Sequence, residues 1–153
     1  MHTISLDTAM QLTGLSKRTL WRRVSSAPYP TQRESHAGSR TLIAIEAIEA
    51  DLPTPLEPGD DAIIARADQG NAEAQNDVAM ILMEADRYDL ALHWLRLAAE
   101  QEYPDAMHWL GRCYIEGNGL ERDEISGLKW IRRAADNGHI ISQRQLQSLS
   151  GNR

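Results

Sequence analysis

The residues best suited to chemistry lie together near the start of the chain. Lys17 and Trp21 stand four residues apart, as do Arg18 and Arg22, and Arg23 adjoins them. On a helix that spacing places one side chain a turn above the next, giving two basic rows beside an aromatic surface. Such a face meets phosphate oxygens and reaches base edges in a DNA groove. The same residues also describe a solvated basic face on a protein-binding helix, so the elements around them must decide. Other chemistry finds less support. The five histidines stand at 2, 36, 93, 108 and 139, none at a ligand spacing from another His or from Cys. No metal or other cofactor is therefore expected. Cys113, the single cysteine, sits in an apolar pattern beside Tyr114 and reads as a buried structural thiol. Gly117-Asn-Gly119 lacks a following Gly-Lys-Ser/Thr and reads as a turn, not a phosphate loop. No catalytic residue is assigned, and an enzyme is not expected.

The basic rows need a helix, and the neighbouring residues predict one. Asp7 is suited to cap a short helix over Thr8 to Thr13, and Gly14 follows where it would stop. Ser16 then stands at an N-cap position ahead of Lys17 to Val24. Two short helices about a Thr-Gly-Leu turn are the layout of a helix-turn-helix. Tyr29 to Arg33 and Arg40 to Ala44 flank Ser35-His-Ala-Gly-Ser39 and predict a two-stranded wing carrying Arg33 and Arg40. A third helix over Ile45 to Leu52 would close a small core. Pro53-Thr-Pro-Leu-Glu-Pro-Gly59 holds three prolines and reads as a linker. The expected organisation is residues 1–52, a linker at 53–59, and residues 60–153.

Charge divides the same way. Residues 1–44 carry six basic and two acidic side chains, and residues 45–153 carry ten and twenty. A module of +4 suits phosphate, whereas one of −10 would avoid it. One cysteine cannot form an internal disulfide, the start resembles no signal peptide, and no apolar run approaches a membrane span. A cytoplasmic protein without membrane contact is expected.

Residues 67–146 repeat. Ala67-Asp-Gln-Gly-Asn-Ala-Glu-Ala74 aligns with Ala99-Glu-Gln-Glu-Tyr-Pro-Asp-Ala106 and with Ala135-Asp-Asn-Gly-His-Ile-Ile-Ser142. Trp94-Leu-Arg-Leu-Ala-Ala99 and Trp130-Ile-Arg-Arg-Ala-Ala135 precede the second and third copies. That period belongs to helix-pair solenoids, whose units must stack to bury their apolar faces. Helices are predicted near 60–69, 73–84, 89–101, 104–116, 123–137 and 140–149, the last with a polar side suited to capping.

The repeat region resembles the Sel-like repeat family, relatives of the tetratricopeptide repeat. Leu110-Gly-Arg-Cys-Tyr114, Gly117-Asn-Gly-Leu120, Asp123, Leu128-Lys-Trp-Ile131 and Ala134-Ala135 through Gly138 carry the resemblance. Gly127 stands where that family usually has Ala. The resemblance implies protein–protein contact. The first region resembles the winged helix-turn-helix of the excisionase and MerR-like group through Ala9, Thr13-Gly-Leu-Ser16, Arg18-Thr-Leu20 and Arg40-Thr-Leu-Ile43. It implies that Ser16, Lys17, Arg18, Trp21, Arg22 and Arg23 lie on or beside double-stranded DNA, with Leu20 and Val24 facing inward.

The expectation is a mainly α protein: an N-terminal winged helix-turn-helix followed by an α-α solenoid of Sel-like repeats, acting as a bacterial-type transcriptional regulator. The alternative is a cytosolic adaptor in which both domains bind proteins. No heptads supply a coiled coil, so the repeats are expected either to pair two copies through an apolar face or to recruit another protein. Tyr103 and Trp109 are the candidate anchors, or else they pack between helices.

Overall fold

The computed structural model describes residues 2–29, 31–33 and 40–151. Its first helix begins earlier than Asp7 predicts. Ser5 is extended, and its hydroxyl accepts a hydrogen bond from Thr8 N–H at 3.2 Å, so helix α1 runs Leu6–Thr13 and Asp7 falls in its first turn. Gly14 closes α1 at φ +73°, a left-handed conformation that glycine adopts without steric cost, and its N–H reaches Met10 C=O at 2.9 Å. Ser16 caps helix α2, Lys17–Ser26, by accepting from Thr19 N–H. Leu20 and Val24 face inward.

Three strands complete this unit, one more than the sequence indicated. Strand β1, Thr3–Ser5, pairs antiparallel with β3, Thr41–Ala44, and β2, Gln32–Arg33, pairs with the other edge of β3. A three-residue strand before a cap carries too little alternation to be read from sequence. The tip at Ser35 to Ser39 lies outside the described residues. The helix expected at 45–52 is instead two 3-10 turns, Ile45–Ala47 and Glu49–Asp51. Ile48 leaves helical geometry between them, and Pro53 disfavours helix at Leu52. Ile45 and Ile48 are nevertheless buried beside Ile4, Leu20 and Ile43.

Six helices follow: α3 Asp60–Asp68, α4 Ala72–Glu84, α5 Tyr88–Glu100, α6 Pro104–Glu116, α7 Glu124–Asp136 and α8 Ile140–Gly151. All lie within two residues of the predicted bounds. Each packs on the next, with the closest pairs α4–α5 and α6–α7. Asn71 caps α4, Asp123 caps α7, and Pro104 opens α6. The α6–α7 crossing depends on two glycines. A Cβ at Gly111 would lie 2.8 Å from Gly127 O, and one at Gly127 would lie 2.5 Å from Ile115 Cγ1 and 2.7 Å from Gly111 O. There is no room here for the alanine that the resemblance led one to expect at 127.

The segment 53–59 is anchored rather than free. Leu52, Pro53 and Leu56 line a small apolar cleft with Leu12, Ile64 and Val78. One apolar cluster runs from Ile4 through to Ala134. Asp68, at the end of α3, accepts from Ser5 N–H at 3.2 Å, from Ser5 Oγ–H at 2.6 Å and from Thr8 Oγ1–H at 2.6 Å. The turn after α1 abuts α5, where a Cβ on Gly14 would meet Arg87 and Leu90. The β1–β3 unit thus sits against the first helices of the stack.

Candidate functional site

Two surfaces gather the candidate residues. On α2, Lys17, Arg18, Arg22 and Arg23 are exposed around the Ser16 cap, while Trp21 is half-buried and packs against the core. Arg23 pairs with Asp51 at 3.2 Å, and Arg40 pairs with Asp68 at 3.2 Å. Lys17, Arg18 and Arg22 enter no ion pair among the described residues. Arg33 has its backbone in β2, and its side chain lies outside the described residues. Lys17 and Arg18 occupy the first turn of α2, which holds no acidic residue. Positive charge there opposes the helix dipole, by about 0.3–1 kcal/mol for an exposed residue. Cations are thus held where helix stability alone would favour carboxylates.

The second surface follows the starts of α4, α6 and α8. Tyr103, immediately before α6, is half-buried beside an open cleft of about 530 Å³ lined also by Pro104, Asp105, His139, Ile140 and Ile141. Burial pushes the Tyr103 phenol up, and the charges of Asp105, Glu73 and Asp77 add to it. Burial also raises the Asp77 carboxyl, with Glu73 contributing. Trp109 is half-buried, with the Arg112 guanidinium 5.1 Å from its ring centroid and the His108 ring edge-on at 5.7 Å. Both aromatics pack against the apolar cluster.

The most exposed large apolar residues among the described residues are aliphatic. They are Ile125 and Leu128 on α7 and Ile140, Ile141 and Leu149 on α8. Sequence reasoning singled out aromatics and so passed over these aliphatics. The repeat carries a signal for two of them, since Leu128 and Leu149 correspond to the apolar Leu92 and Cys113, whereas Ile125 and Ile141 correspond to Asp89 and Asp105.

A buried polar cluster ties α8 to α6. Ser142 Oγ lies 2.8 Å from His108 Nδ1 and 2.9 Å from His139 Nδ1. Ser142 N–H donates to His139 Nδ1 at 3.1 Å, and His139 Nε2 lies 3.0 Å from Asp105 Oδ1. The assignment satisfying these contacts has His139 protonated on Nε2 toward Asp105, and Ser142 Oγ–H bridging the two imidazoles. Burial pushes His108 down to about 4, with His139 and Arg112 adding and Asp105 opposing. Although Ser, His and Asp converge, Ser142 is fully buried, so a substrate has no route to its hydroxyl. Cys113 is likewise buried, and its thiol is pushed up to about 11, which removes the thiolate that nucleophilic chemistry requires. Among the described residues no group of three His, Cys, Asp or Glu is placed to hold a metal, and no helix is long and apolar enough to cross a membrane.

Residues 72–103 and 104–139 match the Sel1 repeat. These spans coincide with the helix pairs α4–α5 and α6–α7. A comparison with curated proteins returns no match. Among solved structures, the chain is similar to a Sel1 repeat protein from Oxalobacter formigenes, at 28% identity and a TM-score of 0.50, over 53% of this chain and 34% of that one. It is also similar to a protective antigen present in uropathogenic Escherichia coli strains and displaying an SLR fold. There the identity is 29% and the TM-score 0.51, over 57% of this chain and 20% of that one. The chain thus spans about a third and a fifth of the length of these two proteins. The repeat region is thus similar to Sel1-repeat solenoids in sequence and in fold.

Proposed function

We propose that the chain is a non-catalytic, cytoplasmic adaptor whose helical stack recruits a protein partner. The observation that carries this reading is the pair of matched repeats, whose helices form one stack with exposed aliphatic residues at its end. An exposed apolar patch on a solenoid is a contact surface in search of a cover. In this reading Tyr103, which shares a cleft with Ile140 and Ile141, and the half-buried Trp109 contribute to the contact surface. Proximity labelling with the full chain tests this. A reproducible partner set is expected, with members lost when Ile141→Asp is introduced. Labelling that matches a free-label control would overturn the adaptor reading.

The first unit supports a second reading, in which β1 to β3 and α1–α2 form a winged helix-turn-helix that contacts DNA. Lys17, Arg18 and Arg22, exposed and in no ion pair among the described residues, favour it, as does the placement of Lys17 and Arg18 against the helix dipole. In this reading Ser16, Lys17, Arg18, Trp21, Arg22 and Arg23 border the duplex, and Arg33 and Arg40 sit on the wing. The full chain would then bind duplex DNA with an affinity that falls as salt rises. Arg18→Ala or Arg22→Ala would cost about 1–3 kcal/mol if the arginine reads a base edge. Absence of salt-sensitive binding would leave both units as protein-binding modules.

A further inference from the structure

Successive repeats place equivalent residues in equivalent surroundings, so the molecule itself shows which faces are normally covered. Helices α5 and α7 start at residues 88 and 124, and α6 and α8 at 104 and 140. Leu92 is 4% exposed, and its equivalent Leu128 is 36% exposed. Cys113 is 2% exposed, and its equivalent Leu149 is 53% exposed. Leu110 is buried and Leu146 half-buried. Ile125, one turn before Leu128, is the most exposed of the large apolar residues.

What covers the inner positions is visible. The loop at Gly119 presses on Leu92, where an added Cβ would come within 3.0 Å of Leu92 Cδ1. Helix α7 lies along α6, and Ile131 closes on Gly111. The uncovered counterparts form a groove of about 510 Å³ between α7 and α8, lined by Leu128, Arg132, Leu146, Gln147, Leu149 and Ser150. In the preceding unit the matching face of α6 is covered by a helix. The shape that fits the groove is therefore a helix with an apolar ridge.

Charge specifies the rest. The lining holds one charged side chain, Arg132, and no carboxylate. Neither Arg132 nor Lys129 enters an ion pair among the described residues, whereas Glu124 on the same helix is engaged by Arg122. Residues 122–151 carry five basic and three acidic side chains, against four and seventeen over 45–121. Among the described residues α7 and α8 carry a net positive charge where the preceding helices of the stack are acidic, so a complementary partner is acidic.

We propose that the groove between α7 and α8 docks an acidic amphipathic helix of a partner protein, which lies on α8 as α7 lies on α6. This rests on the adaptor reading and names the surface it uses.

The test uses the full chain and a stapled 13-residue peptide with the sequence of α5 carrying Arg96→Glu, followed by fluorescence anisotropy. Saturable binding is expected, with amide shift changes on α7 and α8 in NMR spectra. Leu149→Asp and Arg132→Glu should each weaken it at least about tenfold. Both positions are exposed, so the fold should persist by circular dichroism. A peptide with Asp89 and Glu100 changed to Lys should bind more weakly to the natural chain and regain affinity for Arg132→Glu. Equal binding of a scrambled peptide, or shifts confined to the Tyr103–Ile141 cleft, would overturn the proposal. So would concentration-dependent dimerisation abolished by Leu149→Asp, which would assign the groove to a second copy. A cellular partner set lost with Ile141→Asp but retained with Leu149→Asp would overturn this docking site while leaving the adaptor reading intact.

Discussion

Protonation of His108 should weaken the fold between neutral and mildly acidic pH, and the structure sets the size of the effect. The ring is buried against Ser142 and His139, its charged form is disfavoured, and its ordinary value of 6.5 falls to about 4 on folding. A lowered value in the folded state means that the unfolded chain binds the proton first. Stability from this group is therefore complete above pH 6.5, declines as pH falls, and levels off below about 4. Each unit of difference is worth 1.36 kcal/mol, so the loss between pH 7 and pH 4.5 is about 2–3 kcal/mol. His108→Asn removes the titration and installs the residue that occupies the equivalent position in the preceding repeat, Asn76. Carboxylates and His93, which burial also lowers, titrate in both proteins and cancel in the comparison. Urea unfolding followed by far-UV circular dichroism should show the natural chain losing about 2–3 kcal/mol more than His108→Asn over that pH interval. Parallel losses in the two proteins would refute the assignment of His108 as the buried, proton-excluding group.

Two further substitutions probe the packing. Gly127→Ala should destabilise by about 2–3 kcal/mol, since backbone and Ile115 block the new methyl and the gain in helix propensity is only about 1 kcal/mol. Thermal melting of this variant beside Gly151→Ala, where an added Cβ meets nothing within 4 Å and the backbone is not left-handed, separates the clash from generic glycine effects. Asp68→Ala should cost about 2–4 kcal/mol because Ser5 and Thr8 lose their acceptor. Hydrogen exchange should then quicken over residues 3–24 while amides of α6 and α7 keep their protection.

The stack was legible because its signals are local and repeated. The Ala-rich copies fix the period, and Asn71, Pro104, Gly117 and Asp123 mark helix ends where the expected chemistry acts. Ser16 was readable for the same reason. Ser5 was not, because Asp7 is an equally good cap until β1 pairs with β3 and holds Ser5 extended. The helix expected at Ile45 to Leu52 failed because burying Ile45 and Ile48 needs only their spacing, which two tight turns also provide. The three prolines at 53–59 announced a break in helix. That Leu56 between them would pack into a cleft depends on partners 44 residues back, at Leu12, and 22 residues on, at Val78. For the binding surfaces, residue type located the α2 cations, but exposure is a property of the assembled stack. The exposure of Leu128, Ile141 and Leu149 could not be read without it.

The junction at Asp68 gives the array a direction. Helix α3 ends in Ala67-Asp68, as α5 ends in Ala99-Glu100 and α7 in Ala135-Asp136, so it takes the place of a second repeat helix, with the strand-bearing unit against it. A duplicated repeat inserted ahead of α4 would part Leu12 from Val78 and Gly14 from Leu90, whereas one added beyond α8 would meet a ready-made groove. The separation between α2 and the far end would then grow in whole-repeat steps, so that the number of units, rather than any hinge, sets the reach between what the first unit holds and what the last one captures.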